Sequence, residues 1–550
     1  MKLDWRHYLG LALLTFALFL PGRMSLPPLD RDEPRYMEAS AQMLESGNFV
    51  DVRFLDQPRY LQPAGIYWLE SGAEALFGGP HHRHVAWPYR IPSLIAVSCA
   101  VALTAYLGNL LFGGTAGLLA AGLLAVSTLM TAEGRMATID TVLLLDILLV
   151  ETALLRAFLD RQAERPTPVS TALLYWAALG CGLMLKGPVV LIPGFGTLLA
   201  LATIERSIAW WSRLRPAWGW LIMLAIVLPW CIAIDVVSHG NFFSRAVGNN
   251  FLGKIGHGQQ AHGSPPGFHL GVFLLAFWPG SLFAALALPA IWQRRAEPSV
   301  RFLLCWILPH WLIFEAIATK LPHYVLPTYP AIAILTAASL TRWPLQVARA
   351  RWAKWLLGLY GVLWGVLGLA FVAAGTVLLS RLEHRTNTGA MIAALGALPL
   401  LLLSFRMLWQ GDRTKAVLSV MASAVIVHAG LFLTVIPNLQ TIQLAPRAAA
   451  LFDDYRPCED STLVSVSYSE PSLAFLVGSN TKLLGVEAAA HYLHDNGSCA
   501  LALVDRRDED KFRAAMKELG LNVSEYGRVS GLNYSNGHHL DLGLYAPVAN

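Results

Sequence analysis

The sequence predicts a mostly α-helical membrane protein with about thirteen transmembrane helices and a small C-terminal extracytoplasmic α/β domain. Three observations carry that expectation. The chain has 550 residues, 55% hydrophobic and 14% charged, where a soluble domain carries about 25% charged. Apolar runs of bilayer-crossing length, roughly 17–25 residues, begin near Leu9, Ile91, Ala116, Ala137, Ala172, Val189, Trp218, His269, Phe302, Pro322, Trp355, Thr388 and Val417. After about residue 438 hydrophobicity drops and charges return.

Basic residues set the expected orientation. Lys2 and Arg6 place the N-terminus in the cytoplasm. Loops with Arg156/Arg161/Arg165, Arg206/Arg213/Arg215, Arg294/Arg295, Arg342/Arg349/Arg351 and Arg406/Arg413/Lys415 then fall on the same side, against Arg381 and Arg385 opposite. An odd number of spans leaves the C-terminus outside. Met1–Leu26 lacks a small-x-small cleavage site and reads as a retained helix rather than a signal peptide. The net charge of +5 gives no reason to expect nucleic-acid binding.

Residues 1–437 are expected to form the membrane domain and 438–550 the outer one. Within the first, residues 27–89 make an outer loop. There Glu33–Glu45 has helical spacing of Tyr36, Ala39, Met43 and Leu44, which predicts an amphipathic helix along the membrane surface. Residues 236–268 make a second long loop, expected to be mobile. In the outer domain Thr462–Val466, Cys499–Val504 and Leu540–Tyr545 read as strands, and Ser469–Val477 and Asp508–Leu519 as helices. Cys458 and Cys499 are the only cysteines outside the apolar runs, and in an oxidising compartment they are expected to form a disulfide.

Ionisable groups in or beside spans are costly in lipid and become functional candidates. The outer face collects Asp32 and Glu33, Arg53, Asp56 and Arg59, Arg90, Arg135 and Asp140, Lys186, Lys254, and Lys320 with His323 and Tyr324. Acids supply a base or hold a metal, and basic groups with a Tyr hydroxyl clamp phosphate. Taken singly, each has a structural alternative: Arg90 is explained as an interfacial anchor and Lys186 as a helix end.

Asp32-Glu33-Pro34-Arg35-Tyr36, Lys186-Gly187-Pro188, the His262–Phe268 stretch, Trp278-Pro279-Gly280-Ser281 and the Lys320–Pro330 stretch occur in one order. Together they resemble the polyprenyl-phosphate-dependent C-type (GT-C) membrane glycosyltransferases. Within that group the match is to the bacterial aminoarabinose transferases of lipid A, relatives of the protein O-mannosyltransferases. The resemblance implies an inverting transfer, with 4-amino-4-deoxy-L-arabinose leaving undecaprenyl phosphate for lipid A or another periplasmic acceptor, at the outer face of a bacterial inner membrane. It makes Asp32 the catalytic residue with Glu33 beside it, and Arg59, Lys254, Lys320 and Tyr324 the donor-phosphate contacts. Arg90, Asp140, Lys186, His262 and His323 support them. Where many members carry Glu-Lys-Pro in the first loop, this chain reads Tyr60-Leu61-Gln62-Pro63-Ala64-Gly65. Arg59 is the remaining charge nearby.

No cofactor is required by that chemistry. Zinc is an open possibility through His81, His82 and His84, or His257, His262 and His269, although their spacing matches no recurring site. Two other classes were weighed. A lipid-linked saccharide transporter would place charges near the midplane and show internal repeats, and a membrane anchor would need no acids and bases at its helix ends.

Overall fold

The structure, a computed structural model, describes residues 3–30, 32–79, 83–246, 248, 253, 263–344 and 350–548. Among them eight helical stretches are long and apolar enough to cross a membrane, and two shorter apolar helices span Gly114–Ala125 and Ser281–Gln293. This differs from the expected thirteen for physical reasons. The runs expected from Ala172 and Val189 form one stretch, Val169–Glu205, joined through a single 3-10 turn at Gly187–Val190. The helix Ile139–Gln162 is long, but Asp140, Asp146, Glu151, Arg156, Asp160 and Arg161 lower its hydropathy. The first helix, Trp5–Phe19, is only 15 residues long and is capped by the Asp4 carboxylate, which accepts from the Arg6 and His7 amides.

One apolar core runs through the helices, from Phe19 to Val427. The outer loop folds on top of it. Its helix Asp32–Ser46 is not a surface helix. Tyr36, Ala39 and Met43 face Tyr67, Ile139 and Met184 on one side, while Met37 and Ala41 face Tyr89, Ala137 and Phe475 on the other. Gly65 opens the helix Gly65–Phe77 against the membrane domain, where any Cβ would lie 2.6 Å from the Met184 carbonyl. That close approach seats Gln62 and Pro63 beside Lys186.

One buried ion pair ties this layer together. Arg90 Nε lies 2.7 Å from Glu33 Oε1, and both side chains are fully buried. Arg90 Nη2 donates to Glu33 Oε2 at 3.0 Å. The remaining guanidinium donors go to the carbonyls of Arg23, Leu26 and Pro27. Glu33 also accepts from the Ala137 amide at 2.8 Å and the Leu29 amide at 2.9 Å.

The C-terminal region forms a five-stranded sheet in the order Lys482–Leu483, Thr462–Val466, Ala500–Asp505, His538–Val548, Asn522–Asn533. The first three strands are parallel and the last two antiparallel. Alternation decides its two faces: Leu463, Leu501 and Leu503 pack under the helix Leu444–Tyr455. Val464, Val466, Ala502 and Val504 pack under Val486–Asn496 and Glu509–Glu518. Both faces are covered, as a parallel sheet requires. The expected strands and helices are present, and Cys458 is bonded to Cys499. The strand Asn522–Asn533 was not expected, because its burial alternates irregularly and half of it is exposed.

This domain docks on the outer loop. Phe475 is fully buried between Met37, Ala41 and Tyr89. Lys482 pairs with Asp56 at 2.8 Å, and Ser479 donates to Glu45. The Asp30 carboxylate accepts from the Ser472 amide at 2.9 Å and its hydroxyl at 2.6 Å.

Two outcomes follow. Glu33→Ala leaves Arg90 as an uncompensated buried charge and is expected to cost ~3–5 kcal/mol in denaturant unfolding of the protein in micelles; a cost under about 1 kcal/mol refutes the staple. Burial at the docking surface pushes Asp30 from 3.8 up to about 6. A raised carboxylate adds stability that is complete below its unfolded value and lost as pH rises through the folded one, here between about 4 and about 6. The melting temperature of the wild type relative to Asp30→Asn should therefore fall across that window, and a pH-independent difference would sink the assignment.

Candidate active site

A polar cavity of about 250 Å³ lies beneath the outer loop. Its wall is assembled from the ends of several elements. Asp32 sits in the first turn of its helix with its side chain 61% exposed and its Oδ1 3.9 Å from Arg35 Nη1. Arg59 follows the short hairpin of Arg53–Phe54 and Gln57–Pro58; its Nε donates to Tyr67 Oη at 2.9 Å, and its guanidinium lies 5.4 Å from the Tyr36 ring centroid. Gln62 accepts from Tyr36 Oη at 3.2 Å.

The floor is charged. Asp140 lies in the first turn of Ile139–Gln162 and Lys186 in the last turn of Val169–Lys186, the ends where each sign is favoured by the helix dipole. They meet at 2.5 Å. Lys186 Nζ also lies 5.6 Å from the Tyr324 ring centroid. His323 sits in the 3-10 turn Pro322–Thr328, 3.4 Å from Glu133 and 3.7 Å from Asp140. Thr138 donates to Glu133 at 2.9 Å, and His310 holds the turn through the Tyr324 carbonyl at 2.9 Å.

A second cavity of about 270 Å³ adjoins the first and is mostly apolar, with Leu143, Leu183, Val227, Trp230, Phe242 and Phe314 in its wall. Leu61, Gln62, Asp140, Lys186, His323 and Tyr324 line both. A charged chamber thus opens into an oily one across a wall that holds a lysine and a tyrosine.

Of the expected site residues, the structure brings Asp32, Arg59, Asp140, Lys186, His323 and Tyr324 to this place. Three others sit differently. Glu33 borders the cavity, but its carboxylate is consumed by Arg90, Ala137 and Leu29. Arg90 is no interfacial anchor but the buried partner of that acid. Lys320 does not line the cavity: it is 3% exposed and donates to the carbonyls of Ser264 and Ile317 at 2.9 and 2.6 Å. Lys254 and His262, like His81, His82 and His257, lie outside the described residues. Of the two histidine clusters, His84 and His269 are described: His84 lies by Glu38 and Glu45, and His269 bonds the Leu321 carbonyl. Among the described residues the group with metal-ligating spacing is Glu133, Asp140 and His323, whose donor atoms lie within 4.8 Å of one another. Glu133 and Gln62 escaped sequence reasoning. The only signal for Glu133 was a lone acid at Glu133-Gly134-Arg135 ahead of an apolar run.

Comparison with known proteins fits this geometry. The sequence model of the family described as dolichyl-phosphate-mannose-protein mannosyltransferase matches residues 7–241. A protein of Pectobacterium atrosepticum named undecaprenyl phosphate-alpha-4-amino-4-deoxy-L-arabinose arabinosyl transferase is 27% identical over 389 residues, 68% of this chain and 66% of that protein. A protein of the same name in Pseudomonas paraeruginosa is 28% identical over 352 residues, 61% of this chain and 60% of that one. The chain thus matches just under two thirds of the Pectobacterium relative's length. Among solved structures, ArnT from Cupriavidus metallidurans bound to undecaprenyl phosphate superposes with a TM-score of 0.72 at 18% identity, over 98% of this chain and 97% of that one; its apo form gives 0.70 over the same shares. The chain is thus similar to the protein-mannosyltransferase family over residues 7–241 and to named aminoarabinose transferases over about two thirds of its length, and it shares the fold of ArnT.

Proposed function

We propose that this chain is an inverting glycosyltransferase that moves a sugar from a polyprenyl phosphate to a lipid acceptor. The relatives' names support 4-amino-4-deoxy-L-arabinose on undecaprenyl phosphate as donor, with lipid A as acceptor. The observation that carries the reading is the shared wall of the two cavities. A polyprenyl phosphate needs a greasy groove for its chain and a cationic rim for its head, and the sugar beyond that rim needs a polar chamber.

The phosphate then sits by Lys186 and Tyr324, with Arg59 and Arg35 facing the sugar side. Asp32 is the base. It takes the proton of the acceptor O–H, the acceptor oxygen attacks the anomeric carbon from the face opposite the phosphate, and the C–O bond to phosphate breaks. The electron pair leaves on polyprenyl phosphate, and the configuration inverts. A phosphate is an acidic leaving group, so electrostatic holding matters more than protonating it. Asp140 keeps Lys186 at the boundary, and Glu33 acts as a positioning residue that fixes the helix turn bearing Asp32. The basic residues of alternate loops support an outer-face site in the bacterial inner membrane, with the N-terminus cytoplasmic and the C-terminal domain periplasmic.

Two carboxylates and an imidazole would suit zinc, and Glu133, Asp140 and His323 fit in donor type. An ion there would compete with Lys186 for Asp140, so the transfer above is carried by the side chains alone.

Purified protein in nanodiscs, given the aminoarabinosyl lipid and lipid A, should yield lipid A heavier by one aminopentose. Asp32→Asn should lower kcat about 10²–10⁴-fold with little change in KM, and unchanged turnover would remove Asp32 from the base role. Incubation with EDTA should alter the rate less than about twofold; a tenfold loss restored by zinc, about 1.4 kcal/mol, would make the cation part of the site.

A further inference from the structure

Arg135 is singled out in the sequence but takes no part in the cavity that holds Asp32. It sits in the connector between the helices Thr128–Glu133 and Ile139–Gln162 and is 3% exposed. Its Nη1 donates to the Thr131 carbonyl at 3.0 Å and its Nη2 to the Leu18 carbonyl at 2.9 Å. The rings of Phe19 and Phe432 lie 4.7 and 4.5 Å from the guanidinium carbon, and Nε has no partner. Among the described residues no carboxylate pairs with it. Glu133, two residues earlier, turns its carboxylate to Thr138 and His323.

A guanidinium buried without an anion is costly, and aromatic rings offset only part of that cost. The side chain faces a cavity of about 150 Å³, and so does His428, which is 5% exposed with its Nε2 also unpartnered. Arg23, bonded to the Gly134 carbonyl beside it, adds a second buried cation close by. Apart from Thr131 the rest of the wall is apolar, and its rim residues Ala17, Pro21 and Leu433 are exposed on the outside of the helix bundle. In a membrane that outside is lipid. The cavity lies where the first helix ends, at the same end of the bundle as the Asp32 cavity.

We propose that this cavity binds the phosphate of an anionic glycerophospholipid, with Arg135 and His428 as its polar contacts and the rim by Leu433 as the passage for its acyl chains. The lipid supplies the missing counter-ion. Because Arg135 lies between Glu133 and Asp140 in the chain, a bound headgroup also steadies the connector that carries two residues of the active cavity.

The test is native mass spectrometry of the full-length protein in detergent, titrated with phosphatidylglycerol. The wild type should retain one lipid at least tenfold more tightly than diacylglycerol, which lacks the phosphate. Arg135→Gln should lose at least tenfold, and Arg135→Lys should recover part of it. Ala429→Trp fills the cavity and leaves Arg135 in place, so it should expel the lipid as well, whether or not Arg135→Gln folds. Equal retention by Arg135→Gln or Ala429→Trp, or equal binding of diacylglycerol, overturns the proposal. Displacement by inorganic phosphate alone would make this an anion site, and preferential displacement by undecaprenyl phosphate would make it a second donor-lipid site. Either result also overturns the assignment. The readout is lipid retention, so it stands apart from whether the chain transfers a sugar.

Discussion

The pairing of Glu33 with Arg90 is the interaction on which the site depends. Through it four pieces of chain meet at one point: the exit of the first helix at Arg23–Pro27, the Asp32 helix, the start of Ile91–Phe112 and the connector at Ala137. The pair accounts for why two acids stand side by side. Successive residues on a helix point about 100° apart, so the two carboxylates diverge. Glu33 faces in and is consumed, and Asp32 faces the cavity with its carboxylate largely exposed. The two share a motif but not a task.

From that fixed turn the rest of the chamber is reached by short steps. The connector carrying Ala137 runs through Thr138 straight into the helix turn of Asp140, so Asp32 and the opposite wall are referenced to one another through a single buried contact. Asp140 in turn grips Lys186. Gly65 packs against the turn before Lys186, at the Met184 carbonyl. A lysine held in this way keeps its ammonium at the boundary of the two cavities instead of snorkelling away, as an unrestrained one would.

Asp32, Arg59, Asp140, Lys186, His323 and Tyr324 were legible in the sequence because each is a polar group at the edge of an apolar run, where lipid makes such groups expensive. That logic says where charges gather but not which of them face one another. Arg90 obeyed it and proved structural, since its partner lies 57 residues away. Lys320 obeyed it and turned to the carbonyls of Ser264 and Ile317. Glu133 was missed because a lone acid in a six-residue helix has no pattern around it. In the outer domain the buried strands were legible from their β-rich runs, whereas the partly exposed Asn522–Asn533 strand was not. The run expected from Ala137 is present as the helix Ile139–Gln162, whose charges lower its hydropathy.

The loop that lacks Glu-Lys-Pro shows how charge is redistributed. Gln62 cannot hold an anion as a lysine would, and it is spent on the hydroxyls of Tyr36 and Tyr67. Those same two tyrosines position Arg59, one by a hydrogen bond and one by its ring. Gln62 and Arg59 are thus tied to the same pair of tyrosines. Two unit charges about 4 Å apart attract by ~4 kcal/mol at an effective dielectric of about 20, and the energy falls only as the inverse of distance, so a cation held at Arg59 still acts across the chamber.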